Sequence, residues 1–359
     1  MKTKITYFIT SLNFGGAEIG MTRLINGIYR SDQADEIEIT VISLVETSRD
    51  VVELLPESVE VHHLDIGSPL AIWKTRLLWS ELADTDVLVC SLYHASVLGA
   101  VAGKIRNVPQ ILTWQHNSKY RSKTAHALYS LCYRLSNQVL ADSEAVRQML
   151  ISERDVPASK ISVLPIVGID TDQFRPYEDT IEFDNDQDIQ IGTVGRLVRQ
   201  KGYDYLLECA KQLEDEAHFH VIGNGVLESE IRTEINRLGI DNVTLHGKVP
   251  YESLPQYLSS FDIYFQPSRY EGLCMTVIEA MATGLPIVAS ETGGIRESVV
   301  NCETGYLVSP GSIKEYVIKI RSLIEEPENK IRFGKNGRER VIERYSREEL
   351  AESFLKLAI

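Results

Sequence analysis

Short apolar runs separated by helix-length segments recur along the whole chain, and this alternation limits the fold more than any other feature. In the first half the runs fall at residues 5–12, 38–44, 59–64, 86–91, 110–114, 138–141 and 161–164. Each is strand-length. Strands recurring at helix-length spacing imply parallel sheets covered on both faces, the doubly wound α/β arrangement. A polar, acidic stretch at residues 175–188 interrupts the pattern, which resumes at 189–194, 218–222, 243–246, 263–266, 286–289 and 305–308. The second half repeats the architecture without repeating the sequence, and from Ser312 onward the pattern is helical. The reading is two α/β domains, residues 1–170 and 189–345, joined by a linker over 171–188. A chain of 359 residues with 43% hydrophobic content can fill two such cores.

Cysteine usage and charge narrow the setting. Cys90, Cys132, Cys209, Cys274 and Cys302 are odd in number and form no C-x-x-C pair, so neither a disulfide framework nor a zinc knuckle is indicated. A reducing, cytoplasmic compartment is expected. The run after Lys4 contains Thr6, Tyr7 and Thr10 and ends in Asn13-Phe14-Gly15-Gly16, which reads as a first buried strand rather than a signal peptide. No stretch approaches the roughly 20 apolar residues that cross a bilayer. A net charge of −14 argues against general nucleic-acid binding. The charge is uneven, however. Between Asp86 and Asp142 there is no acidic residue, while Lys104, Arg106, Lys119, Arg121, Lys123 and Arg134 lie there among Trp114, Tyr120, Tyr129 and Tyr133. Two readings stand: a solvated helix face, or a surface for an anionic partner or membrane.

In parallel sheets ligands bind beyond the carboxyl ends of strands, so the residues just after each run carry the functional signal. After the first run, Gly15 and Gly16 open a helix near Ala17, a place where backbone amides receive an anion such as phosphate, or simply a tight turn. The pattern is not G-x-G-x-x-G, and no acidic residue ends the second strand as a dinucleotide site requires. After the first strand of the second half, Gly195-Arg196-Leu197-Val198-Arg199-Gln200-Lys201-Gly202 offers a planar fork at Arg196 and a point charge at Lys201. Further on, Glu271 follows a strand, and Glu279 falls among Val277, Ile278, Ala280 and Met281. A carboxylate in that company is costly unless bonded, or else it points to water.

These segments resemble the family-four retaining glycosyltransferases of the GT-B fold, which use nucleotide sugars to build bacterial polysaccharides and glycolipids. The resemblance spans essentially the whole chain. Its most specific part is Glu271 and Glu279 in Glu-Gly-x7-Ala-Met-Ala-x-Gly-x-Pro order, followed by Thr292-Gly293-Gly294-Ile295-Arg296-Glu297. Ala141-Asp142-Ser143-Glu144 and His246-Gly247-Lys248-Val249 are weaker matches. The fold it implies is two Rossmann-like doubly wound domains facing a central cleft, the first carrying the acceptor and rejoined by a C-terminal helix near residues 346–359.

The resemblance implies roles as well. Glu279 holds the donor ribose and Glu271 the transferred sugar, while Arg196 and Lys201 bind the diphosphate and Gly15 and Gly16 close on it. His116, in Trp114-Gln115-His116-Asn117 after a strand, matches a histidine that reaches the donor sugar, although a lone histidine is often structural. Backbone at Leu273, Cys274, Met275 and Thr276 receives sugar hydroxyls or phosphate, and backbone near Val249 the base. Two departures stand out: Ile166-Val167 where Asn-Gly is common, and Cys274 where Gly or Pro is common. The expected donor is a UDP- or GDP-sugar, a co-substrate rather than a cofactor. The expected acceptor is a saccharide or lipid-linked saccharide, with peripheral contact to an anionic membrane. No metal is expected. Asp84-Thr85-Asp86, Asp170-Thr171-Asp172 and the set Asp184, Asp186 and Asp188 all lie away from the diphosphate clamp, and hard cations need converging oxygens. The competing readings are a glycoside hydrolase or phosphorylase using Glu271 and Glu279, and a sugar-nucleotide sensor without turnover.

Overall fold

A computed structural model describes residues 2–13, 15–45, 49–65, 75–116, 123–178, 180–183 and 189–359. The chain divides into two compact units, Met1–Gly168 with Ser346–Ile359, and Ile169–Tyr345. The first contains β1 (Thr3–Ile9), α1 (Gly16–Arg30), β2 (Ile37–Ser43), α2 (Arg49–Val52), β3 (Glu60–His63), α3 (Thr75–Glu81) and β4 (Val87–Ser91). It continues through α4 (Tyr93–Arg106), β5 (Gln110–Gln115), α5 (Lys123–Leu135), β6 (Gln138–Ala141), α6 (Glu144–Arg154) and β7 (Ile161–Val163). The seven strands are parallel, in the order β3-β2-β1-β4-β5-β6-β7. Every apolar run of the first half is a strand.

Parallel neighbours need crossovers that return the chain to the same end, and helices supply them on both faces. Alternation along β1 shows the result. Tyr7 and Ile9 pack into one core with Leu24 and Ile28 of α1, while Phe8 points into the opposite core with Leu88, Cys90 and Ala102. The last helix of the chain, Arg347–Ala358, packs on the first of these cores. Its Phe354 ring lies parallel to Trp114 of β5 at a centroid distance of 6.0 Å.

The second unit repeats the plan with β8 (Gln190–Val194), α7 (Tyr203–Gln212), β9 (His218–Ile222), α8 (Glu228–Leu238), β10 (Val243–Gly247), α9 (Leu254–Ser259) and β11 (Ile263–Gln266). Then come α10 (Met275–Ala282), β12 (Ile287–Ser290), α11 (Ile295–Ser298), β13 (Gly305–Val308), α12 (Ile313–Glu325) and α13 (Pro327–Arg344). Its six parallel strands run β10-β9-β8-β11-β12-β13. Leu206 and Leu207 of α7 and Tyr316 and Ile320 of α12 fill its core with Phe219, Phe265 and Val288 from the sheet.

Part of the stretch read as a linker is fastened to this unit. The Tyr177 and Ile181 amides donate to Ser259 Oγ and Ser260 Oγ at 3.2 and 2.6 Å, and Phe183 stacks on His220 with centroids 3.9 Å apart. Asp184, Asp186 and Asp188 lie outside the described residues.

Candidate active site

In each unit the strand order reverses direction once, between β1 and β4 and between β8 and β11. Loops leaving neighbouring strands at such a point diverge, opening a crevice beyond the carboxyl ends. In the second unit the loops after β8 and β11 hold the charged residues singled out above. Lys201 Nζ donates to Glu271 Oε1 at 2.8 Å, with the two side chains only 12% and 6% exposed. Glu271 also accepts from Ser268 Oγ at 2.6 Å and from Gln200 Nε2 at 3.1 Å. The chain of bonds runs inward: Gln266 Nε2 donates to Ser268 Oγ, and Tyr264 OH donates to Gln266 Oε1, at 2.9 and 3.0 Å.

A buried ion pair persists only when its remaining donors and acceptors are satisfied in this way. Burial opposes the Lys201 charge. The Cys274 thiolate, which forms only at high pH, and the Glu271 carboxylate outweigh that effect and hold the ammonium protonated above the ordinary lysine range. The Cys274 thiol, 3.8 Å from Lys201 Nζ, is itself pushed up to about 11 by its burial. It is therefore neutral at physiological pH, and Glu271 is the anion that balances Lys201.

α10 starts directly after this loop. Cys274 is its N-cap, with a left-handed φ of +70° and no side-chain bond to the helix end, and the first turn carries no acidic residue. The first-turn amides of a helix have no partner within it and present a partial positive charge, which favours an anion at Met275 and Thr276. Glu279, on the next turn, is buried, as are Leu273 and Cys274. Arg196, immediately after Gly195, is exposed; Val249, just past β10, is half-buried. All of these residues therefore lie at the carboxyl end of one sheet.

Two glycines explain how the loops fit. At Gly293 φ is +49°, and an added Cβ would stand 2.0 Å from the Glu271 carbonyl oxygen. At Gly223, after β9, φ is +133°, and a Cβ would meet the Gly195 carbonyl oxygen at 2.0 Å. Only glycine combines such dihedrals with such contact.

The first unit carries its own polar chain across three strand ends. His116, after β5, has Nδ1 2.9 Å from Asp142 Oδ2, and Asp142, after β6, also accepts from the Trp114 indole at 2.8 Å. A carboxylate can only accept, so the Nδ1 proton faces Asp142; in the neutral ring Nε2 then accepts from Ser91 Oγ, 2.8 Å away. Leu92, between Ser91 and α4, has φ +66°, a strained conformation for a branched residue. Gly15 is half-buried and Gly16 exposed at the start of α1, and an added Cβ at Gly15 would stand 2.6 Å from Glu18 Oε2. Asn117 and Phe14 lie outside the described residues.

Two family models match the chain almost end to end: Glycosyltransferase Family 4 over residues 14–173 and Glycosyl transferases group 1 over residues 176–340. The chain belongs to the family-four glycosyltransferases. Among curated relatives, the sulfoquinovosyl transferase of Arabidopsis thaliana is 26% identical over 293 residues, which is 76% of this chain and 56% of that protein. The MMP alpha-(1→4)-mannosyltransferase of Mycolicibacterium hassiacum is 32% identical over 218 residues, 60% of this chain and 52% of its own. The aligned part is thus little more than half the length of either relative. Among solved structures, Anabaena HepE in complex with UDP and glucose superposes with a TM-score of 0.85 at 20% identity, covering 99% of both chains. The fold is that of the GT-B glycosyltransferases.

Within this family-four chain, several site residues carried no sequence signal of their own. Ser91 and Ser268 are ordinary small polar residues, placed only by where their strands end. Gly223 was findable: Gly223-Asn224-Gly225 directly follows a strand, the same sign that drew attention to Gly15 and Gly16.

Proposed function

We propose that this chain is a retaining, metal-independent glycosyltransferase that moves a sugar from a UDP- or GDP-sugar to a saccharide or lipid-linked saccharide. The observation that carries the reading is the buried Lys201–Glu271 pair, set at the strand-order reversal on the doorstep of α10. In this reading Arg196, Lys201 and the Met275 and Thr276 amides receive the diphosphate. Glu279 takes the ribose, Glu271 the transferred sugar and backbone near Val249 the base. The same reading assigns Gly15 and Gly16 to diphosphate binding and His116, its ring oriented by Asp142, to sugar binding.

The chemistry follows from where charge develops. As the bond from the anomeric carbon to the diphosphate oxygen breaks, positive charge grows on the sugar and negative charge on the phosphate. Fixed cations and helix-start amides stabilise the latter without reorganising. The acceptor hydroxyl attacks on the face the phosphate leaves, and its proton passes to the departing phosphate oxygen. Two similar proteins support a nucleotide-sugar donor: HepE, of the same fold, has been crystallised with UDP-glucose, and a Mycobacterium tuberculosis relative is named as a GDP-mannose-dependent mannosyltransferase.

Among the described residues no group of three or more His, Cys, Asp or Glu side chains is placed to hold a metal ion. Because Arg196 and Lys201 handle the diphosphate in this reading, transfer is expected to persist in excess chelator. The test incubates the protein with UDP- and GDP-sugars and mixed acceptors, with and without EDTA, and follows nucleoside diphosphate release. Chelator-sensitive turnover restored by magnesium would overturn metal independence, and sugar release from a glycoside without any nucleotide would favour a hydrolase.

The acceptor side of the reading is attachment to the cytoplasmic face of an anionic membrane. Among the described residues no helix is long and apolar enough to cross a membrane. Lys104 and Arg106 occupy the last turn of α4 and Arg134 that of α5. Lys119, Arg121 and the Lys123 side chain lie outside the described residues. Each basic residue at an anionic surface contributes about 1 kcal/mol, so cosedimentation with anionic but not neutral vesicles is expected at low salt. Changing Lys119, Arg121 and Lys123 to Ser should weaken it. Indifference of the wild type to anionic vesicles would leave a soluble acceptor.

A further inference from the structure

A second ion pair lies outside the buried one. Arg269 stands two residues before Glu271, and Asp204 three residues after Lys201, in the first turn of α7. The guanidinium grips the carboxylate with both arms: Nη1 donates to Oδ1 at 2.7 Å and Nη2 to Oδ2 at 2.5 Å. Nη1 also donates to the Arg199 carbonyl at 3.2 Å, and the Arg269 backbone amide donates to the Gln200 carbonyl at 2.8 Å. The guanidinium carbon sits over the Tyr205 ring, 4.2 Å from its centroid. One residue of the β11 loop is thereby fixed to positions on both sides of Lys201.

An exposed pair of this kind ordinarily adds little to stability, and the Asp204 side chain is 58% exposed. Its geometry is nevertheless more exacting than a surface pair requires. It clamps two irregular loops, one carrying Lys201 and the other Glu271, whose mutual distance sets the buried pair. We infer that Arg269, with Asp204, is a positioning residue for the diphosphate site: it holds the Lys201 turn in register with the Glu271 loop and touches no substrate itself. The role rests on the reading of Lys201 as a phosphate ligand. Lysine would not substitute for Arg269, because a single ammonium cannot reproduce the fork on Asp204, the Arg199 carbonyl bond and the contact with the Tyr205 ring together, although the backbone bond to Gln200 would remain.

The experiment compares wild type with Arg269→Ala, Arg269→Lys, Asp204→Asn and the exchanged pair Asp204→Arg/Arg269→Asp. Amide hydrogen exchange is measured on the unliganded proteins, and calorimetry gives affinities for UDP and GDP. Both alanine and lysine variants should exchange faster over residues 199–202 and 268–272 while the strands keep their protection. Affinity for whichever nucleotide the wild type binds should fall about tenfold, the scale of one weakened charged hydrogen bond. The exchanged pair should regain part of the loop protection. Unchanged exchange in both loops, or Arg269→Lys behaving as wild type, overturns the inference. If the wild type binds neither nucleotide, the functional reading falls, and the exchange data still decide whether Arg269 holds the two loops together.

Discussion

Replacing Glu271 with alanine is expected to destabilise the second unit by about 3–5 kcal/mol, far more than the loss of a surface ion pair. The cause is what remains behind. Lys201 would stay buried with its ammonium beside a neutral Cys274 thiol, which balances no charge, and Ser268 and Gln200 would lose their acceptor. Lys201→Ala should be similarly costly, because it leaves the Glu271 carboxylate buried without its cation. The double variant Lys201→Met/Glu271→Leu should recover most of the loss, since neither partner is then stranded. Urea unfolding followed by circular dichroism measures all three. Single variants that each lose less than about 1 kcal/mol would show that the pair behaves as a solvated one. The pH dependence has a definite sign. Lys201 is held protonated above its unfolded value, so the stabilisation is whole at neutral pH and is lost only as pH rises past the ordinary lysine range.

Gly293→Ala is expected to lower turnover about a hundredfold, the scale set by displacing a catalytic group by roughly an ångström. The new Cβ would lie 2.0 Å from the Glu271 carbonyl oxygen, which is backbone and cannot swing aside as a side-chain tip can. Either the 271–273 loop moves or Gly293 leaves its φ of +49°. The first displaces Glu271 from Lys201, and the second disturbs the 2.8 Å bond from the Gly294 amide to the Gly272 carbonyl that holds the same loop. Gly239→Ala is the control, for it too has a left-handed φ, +68°, but nothing lies within 4 Å of an added Cβ. That variant should lose about 1 kcal/mol of stability from the strained φ and keep its activity. Steady-state rates alongside thermal melts separate the two effects. Equal activity in both variants would remove the 271–273 loop from the catalytic machinery.

The apolar runs by themselves determined that strands form where they do, because a strand covered by helices on both faces must be apolar on both faces. Val87, Leu88, Val89, Cys90 and Ser91 are all buried in β4, and Ile263 to Gln266 in β11. The same property hides the order of the strands. An all-apolar strand carries no alternation to say which neighbour it takes, so any arrangement of the runs is compatible with the sequence. Local residues also determined the chemistry on offer at the strand ends: the glycines of 15–16, the cations of 196 and 201, and the carboxylates of 271 and 279. Only tertiary structure decided which of these meet. Lys201 and Glu271 are 70 positions apart and touch because β8 pairs with β11. Ser91, His116 and Asp142 meet because β4, β5 and β6 are consecutive in the sheet. The physical reason is common to both. Hydrophobic burial drives each run into the sheet without regard to partner, whereas a buried charge or imidazole is tolerated only where particular neighbouring loops bring it a partner.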